Sequence, residues 1–142
     1  MPFNQQLTID QFNFFGKECL PGLLGIKITE LKENFISAEI EITSSHFAPN
    51  GYIHAGSLVT LADTLAGYGC IAHLPENGNS FTTIELKSNF LSSAKSGTMI
   101  CEARPLHLGK TTQLWDATVR HKESNKVMAL FRCTQLIIYN KL

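Results

Sequence analysis

One apolar stretch does most to constrain what this chain can fold into. Leu58, Leu61, Ala62, Leu65, Ala66 and Gly69 recur at intervals of three and four residues, the spacing of a single helical face. It is the only long helix on offer. Elsewhere the apolar residues change to period two. Ile26, Ile28 and Leu31 suit one strand, and Ile36, Ala38, Ile40 and Ile42 alternate through the next, with Lys32-Glu33-Asn34 as the turn between them. Residues 81–91, 97–104, 112–120 and 127–138 read as four further strands, with a hairpin turn at 123–126. Ahead of them all, residues 10–19 form a short helix anchored by Phe12, Phe14 and Phe15 and ended by Pro21 and Gly22. Residues 43–52 are polar and irregular, broken by Pro49-Asn50-Gly51, and residues 75–79 form a loop.

The order is helix, two strands, long helix, four strands. Hairpin-connected strands around one central helix predict an α+β fold with an antiparallel sheet, and the long helix is the only element able to cover its apolar face. A sheet wrapped around one long central helix is the hotdog arrangement. The chain reads as one domain over residues 1–142, with 1–22 as a helical extension. Its edge strands stay open, which favours pairing with a second copy.

Charge and composition narrow the function. Twelve basic and twelve acidic residues balance to zero, so nucleic-acid binding has no electrostatic footprint. Cys19, Cys70, Cys101 and Cys133 are widely spaced, three of them in apolar runs, and read as small buried hydrophobes. The first twelve residues lack the basic-then-apolar pattern of a signal peptide, and no apolar run reaches bilayer length. A cytoplasmic protein is the expectation. His46, His54, His73, His107 and His121 show no close metal-ligand spacing, so no metal or other cofactor is expected. Ser57 lacks the G-x-S-x-G context of a serine nucleophile.

Asp63 is the odd residue on the helix. At about 100° per residue it falls roughly 120–140° from the centre of the apolar face, beside the small residues Gly67 and Cys70. A carboxylate there is either solvated or set on a surface, turned from the chain's own sheet, that something else approaches. The run into the helix favours the second reading. Gly51, His54, Ala55 and Gly56 lead directly into the first turn. Small residues there leave backbone N–H groups uncovered at the positive end of the helix dipole, a place to stabilise an oxyanion.

Residues 50–64, Asn-Gly-Tyr-Ile-His-Ala-Gly-Ser-Leu-Val-Thr-Leu-Ala-Asp-Thr, resemble the signature of hotdog-fold acyl-CoA thioesterases of the phenylacetate-degradation type. That signature is Gly, two residues, His-Gly-Gly, then a helix reaching Leu-Ala-Asp or Leu-Ala-Glu. The likeness continues through 82–91 and the hairpin 106–111, and covers residues 23–138. It implies an acyl-CoA substrate and a homodimer, often paired into a homotetramer, whose sites lie between protomers. Asp63 would be the base or nucleophile, the Ala55 N–H the oxyanion donor, and His54 and Gly56 the rest of the turn. Gly109, Lys110 and Thr111 would contact coenzyme A. Phe90, Leu91 and Tyr68 are candidates for the acyl pocket.

Three positions depart from the family's pattern. Ala55 replaces its first glycine after the histidine. Ala48 stands where many relatives carry Asn or Gln, which makes Asn50 the amide candidate. Gly67 stands where some carry Ser or Thr. These departures keep a second reading open, a non-hydrolytic acyl-CoA-binding hotdog domain. A hotdog dehydratase, needing another His and acid constellation, ranks last.

Overall fold

The computed structural model describes residues 3–141. After α1 (Ile9–Phe15) and a four-residue α2 (Leu20–Leu23) come β1 (Lys27–Lys32) and β2 (Phe35–Glu41). A 3-10 turn at Ser44–His46 leads to α3 (Ala55–Ala72), followed by β3 (Gly78–Phe90), β4 (Thr98–Leu108), β5 (Thr112–His121) and β6 (Val127–Tyr139). All six strands form one antiparallel sheet in the order β1-β2-β4-β5-β6-β3. The α+β hotdog architecture expected from the periodicities is the one found.

Alternation explains the core. Ile36, Ala38 and Ile40 of β2, Met99, Cys101 and Ala103 of β4, and Trp115, Ala117 and Val119 of β5 point inward onto Leu58, Leu61, Leu65 and Ala66 of α3. Cys70, Cys101 and Cys133 are buried as expected, and Cys19 is exposed. The sheet curls so far around α3 that ten of its eighteen residues are buried. By length and composition alone this helix is apolar enough to cross a bilayer, contrary to the sequence reading. The surrounding sheet supplies its apolar partner instead.

The N-terminal segment corrects two further expectations. Of the three phenylalanines only Phe12 is buried, stacked on Tyr68 at 4.8 Å; Phe14 and Phe15 are exposed. Phe14 lies about 200° around the helix from Phe12, while Phe15 keeps to the same side, edge-on to Phe12 at 5.8 Å, and stays half exposed where the helix ends. Pro21 and Gly22 do not end this helix. Gly16 caps it, and Pro21 opens α2, where its missing N–H costs nothing.

Strand β3 shifts register against β6 twice, between Gly78 and Ser80 and again in a bulge after Thr83. Phe81 and Thr83 pair with Ile137 and Gln135, the register then shifts between Thr83 and Glu85, and Leu86 pairs with Cys133. The extra residue, Ile84, inverts the alternation. Between the two shifts Phe81 and Thr83 face inward; after the second, even-numbered residues do. β3 is also an outer strand of the sheet, and Ile84, Leu86, Phe90 and Leu91 are exposed along or just past it.

Candidate active site

The start of α3 is held by a buried histidine. His46 Nδ1 accepts the Thr43 N–H at 3.0 Å, which leaves the ring proton on Nε2 for the Leu24 carbonyl at 2.7 Å. The carbonyl of His46 in turn accepts the His54 N–H and the Ser57 hydroxyl, each at 2.9 Å. Ser57 is thereby committed to a structural bond. Phe47 and Ile53 form an isolated bridge, and Gly51 takes φ +84° in the turn between them, a left-handed conformation suited to glycine.

His54 is the N-cap of α3. Its Nδ1 accepts the Gly56 N–H at 2.7 Å. An accepting Nδ1 puts the ring proton on Nε2, which remains a donor on an exposed side chain. Because His54 takes the Gly56 N–H, and the Ser57 N–H goes to the His54 carbonyl, the first amide of the helix is left over. Among the described residues the Ala55 N–H has no hydrogen-bond partner. Ala55 lines an open groove of about 330 Å³ together with Ile53, Leu58, Phe90, Leu91, Ser92 and Ser93. Phe90 and Leu91, expected near an acyl group, are thus brought next to the expected oxyanion donor. Ser93 Oγ accepts the Ile53 N–H at 3.2 Å and ties the groove's rim to the turn.

Asp63 lies two turns further along α3. It is half-buried, so it is neither free in solvent nor turned away from its own sheet as the helical count suggested. The sheet curls past it, and Thr83 on the inner side of β3 donates a hydroxyl to its Oδ1 at 3.3 Å. Burial pushes the Asp63 carboxyl above the ordinary value of 3.8, and the Thr83 hydrogen bond partly offsets this. The groups at the two ends of this segment are far apart. Eight residues at about 1.5 Å of rise put Ala55 and Asp63 roughly 12 Å from each other along the axis. A carbonyl that accepts the Ala55 N–H while a water held by the Asp63 carboxylate attacks it needs the two groups within about 8 Å.

Residues 50–128 match the model of the thioesterase superfamily. The chain belongs to that superfamily. It is 30% identical to a 1,4-dihydroxy-2-naphthoyl-CoA hydrolase from Listeria monocytogenes, over 78% of this chain and 89% of the relative. It is 29% identical to the proofreading thioesterase EntH of Klebsiella pneumoniae, over 89% and 91% respectively. The crystal structure of a mutant thioesterase from Pseudomonas aeruginosa superposes with a TM-score of 0.91 at 26% identity, covering 97% of this chain and 99% of that one.

In this superfamily member the other expected site residues are more scattered. Gly109, Lys110 and Thr111 form the exposed β4–β5 turn, where the Gly109 N–H reaches the Thr112 carbonyl at 2.9 Å and Tyr139 donates its hydroxyl to the Lys110 carbonyl. Asn50 uses its Oδ1 on the Tyr52 N–H at 3.1 Å, a local Asx turn at the exposed rim. Ala48 exchanges backbone bonds with Gly51 and Tyr52 and carries no amide to the site. Tyr68 stacks beneath α1, five residues and hence about 140° around the helix from Asp63. Gly67 is covered by Phe81, whose ring tip would lie 2.8 Å from a β-carbon there.

Sequence reasoning passed over Thr83, Gln135 and His46. A signal existed for one of them. Phe131, Cys133, Gln135 and Ile137 alternate as an inward series in β6, and a glutamine at an inward position calls for a partner. Thr83 gave no such signal, because the bulge that follows it hides which face it occupies.

Proposed function

We propose that this protein hydrolyses acyl-CoA thioesters at a site shared by two copies of the chain. The observation that carries the reading is the unpaired Ala55 N–H at the positive end of α3, on a residue that lines a groove with Phe90 and Leu91. Attack on a thioester carbonyl places negative charge on its oxygen, and an N–H fixed in advance stabilises that charge without reorganisation. His54 Nε2–H is a second donor on the same turn. Asp63, whose carboxyl burial raises from its ordinary value, is suited to act as base. It takes a proton from water as the water oxygen attacks the carbonyl carbon. The tetrahedral oxyanion then collapses, the C–S bond breaks, and Asp63 returns the proton to the departing thiolate. The products are a carboxylic acid and a thiol.

The roughly 12 Å between Ala55 and Asp63 along the helix axis supports the shared site, since it exceeds the span that one carbonyl and its attacking water bridge. β3 fits the role of the joining edge. It is an outer strand of thirteen residues with exposed apolar side chains, the kind of edge that pairs with another chain. The exposed turn Gly109-Lys110-Thr111 is the candidate contact for the coenzyme A phosphates. Phe90 and Leu91 would cover the acyl or aryl group.

A panel of acyl-CoAs, with released thiol as the readout, tests the activity. Phenylacetyl-CoA belongs in it because the turn resembles that of the phenylacetate-degradation enzymes. Turnover that disappears in Asp63→Asn supports the assignment. Tight binding with no thiol release from any member returns the chain to the acyl-CoA-binding reading. Co-expressed His54→Ala and Asp63→Asn chains test the sharing, because a mixed dimer regains one intact site of its two. No recovery in isolated mixed dimers rejects it.

A further inference from the structure

The most informative group outside the turn is an orphan. Gln135 is fully buried on β6, and its Nε2 is the buried side-chain polar atom left without a hydrogen-bond partner among the described residues. Its Oε1 lies 2.7 Å from Thr83 Oγ1, and the same Thr83 oxygen lies 3.3 Å from Asp63 Oδ1. Both neighbours are acceptors in this arrangement, and a hydroxyl has one proton to give. Rotating the Gln135 amide by half a turn exchanges its oxygen and nitrogen, which occupy nearly the same space. Nε2 then donates to Thr83 Oγ1, and the Thr83 proton is free for Asp63. The buried donor gains a partner, the double claim on one proton disappears, and what remains is an under-satisfied amide oxygen, the less costly kind of orphan.

We infer that Gln135 and Thr83 form a directed hydrogen-bond chain, Gln135 Nε2–H to Thr83 Oγ1–H to Asp63 Oδ1, that positions the Asp63 carboxylate for its work. Thr83 and Gln135 are positioning residues; neither reaches the thioester. The fold explains why the hydroxyl comes from the sheet. One turn beyond Asp63 the helix offers only Gly67, and Phe81 closes the space above it. Two residues further along β3, Thr83 faces inward on the last paired position before the bulge, directly across from Gln135. The inference rests on the assignment of Asp63 as base.

The other titratable groups near Asp63 are few. The Cys133 thiol on β6 and the Cys70 thiol on α3 are pushed up to about 12 by burial and stay neutral at assay pH. Glu85 of β3 points to the outer face, where it accepts the Thr134 hydroxyl at 3.2 Å.

The test is the pH profile of kcat/KM with phenylacetyl-CoA, or with whichever member of the panel turns over fastest. Thr83→Val keeps the shape and removes the hydroxyl. It is expected to move the acid limb to higher pH and lower kcat at neutral pH by about tenfold, the loss of one hydrogen bond to a charged group. Thr83→Ser should restore both. Gln135→Met leaves the hydroxyl in place and should move the limb in the same direction by less. Carbon NMR of the Asp63 carboxyl should show the same shifts without substrate. Wild-type profiles in Thr83→Val, or a limb moved to lower pH in Gln135→Met, overturn the chain. Should Thr83→Val fail to fold, Thr83→Ser and Gln135→Met still decide it: an unmoved limb in Gln135→Met overturns the inference. Asp63→Asn run alongside separates the two levels. Full activity there removes the base itself, whereas an inactive Asp63→Asn beside an unaffected Thr83→Val removes only the positioning chain.

Discussion

His54 caps the helix that it precedes, with Nδ1 accepting the Gly56 N–H at 2.7 Å. The bond sets the ring's tautomer and leaves the neighbouring Ala55 N–H unclaimed. A β-carbon on Gly56 would sit 2.9 Å from Nδ1 and 3.1 Å from Cε1, so Gly56→Ala should push the ring off the cap. The expected cost is about 1 kcal/mol of stability together with most of the hydrolysis. His54→Asn divides the two roles. Asparagine is a good N-cap, so melting should hold while the rate falls. Thermal melts and thiol release on the same preparations check both.

Asp63 should cost the fold stability at neutral pH. Its carboxyl is held above 3.8 by burial, so the folded chain binds the proton more tightly than the unfolded chain. Stability therefore falls as pH rises from 3.8 through the raised value. Asp63→Asn removes that cost. The variant should be more resistant to urea than the wild type at pH 7 while losing at least a hundredfold in turnover. Equal urea midpoints at pH 7 would contradict the burial argument.

His73 acts in the opposite direction. It is buried at the end of α3, its Nε2 accepts the Asn34 N–H at 2.9 Å, and its Nδ1 donates to the Gly69 carbonyl at 2.8 Å. Burial holds it below the ordinary 6.5. The unfolded chain therefore takes up the proton first as pH falls, and stability is lost below pH 6.5 down to the folded value, at up to about 1.4 kcal/mol per pH unit. Urea midpoints from pH 7 to pH 5 should show this slope in the wild type and a flatter one in His73→Gln.

Gly69 is needed for packing. A β-carbon there would lie 2.6 Å from the Trp115 ring, and Trp115 is wedged in place because its Nε1 donates to Gln113 at 2.9 Å. Gly69→Ala should cost about 1–3 kcal/mol by overpacking, read as a lower urea midpoint. Recovery in Gly69→Ala combined with Trp115→Phe would confirm the clash as the cause.

Much of this was legible in the chain itself. The three-and-four spacing from Leu58 to Gly69 named the helix, and the alternation from Ile36 to Ile42 named a strand, because periodicity is a local property. The turn before α3 was legible for the same reason, since His54, Ala55 and Gly56 act on a helix end that they themselves begin. The misreadings were of another kind. Phe14 reads as an anchor in the sequence, although a lone short helix has one face to bury and Phe14 lies opposite Phe12. A helical count puts Asp63 away from the sheet because it cannot register how far a sheet curls.

The sequence by itself determined the central helix, the strands around it and the residues of the turn. Only the tertiary structure decided what surrounds Asp63. Thr83 lies 20 residues from Asp63 and Gln135 a further 52 residues on. Their meeting depends on β3 and β6 being neighbours and on a bulge fixing the face that Thr83 occupies. Periodicity reports which side of its own element a residue takes, whereas a hydrogen bond between elements depends on register and curvature, and those are set when the whole sheet closes around the helix.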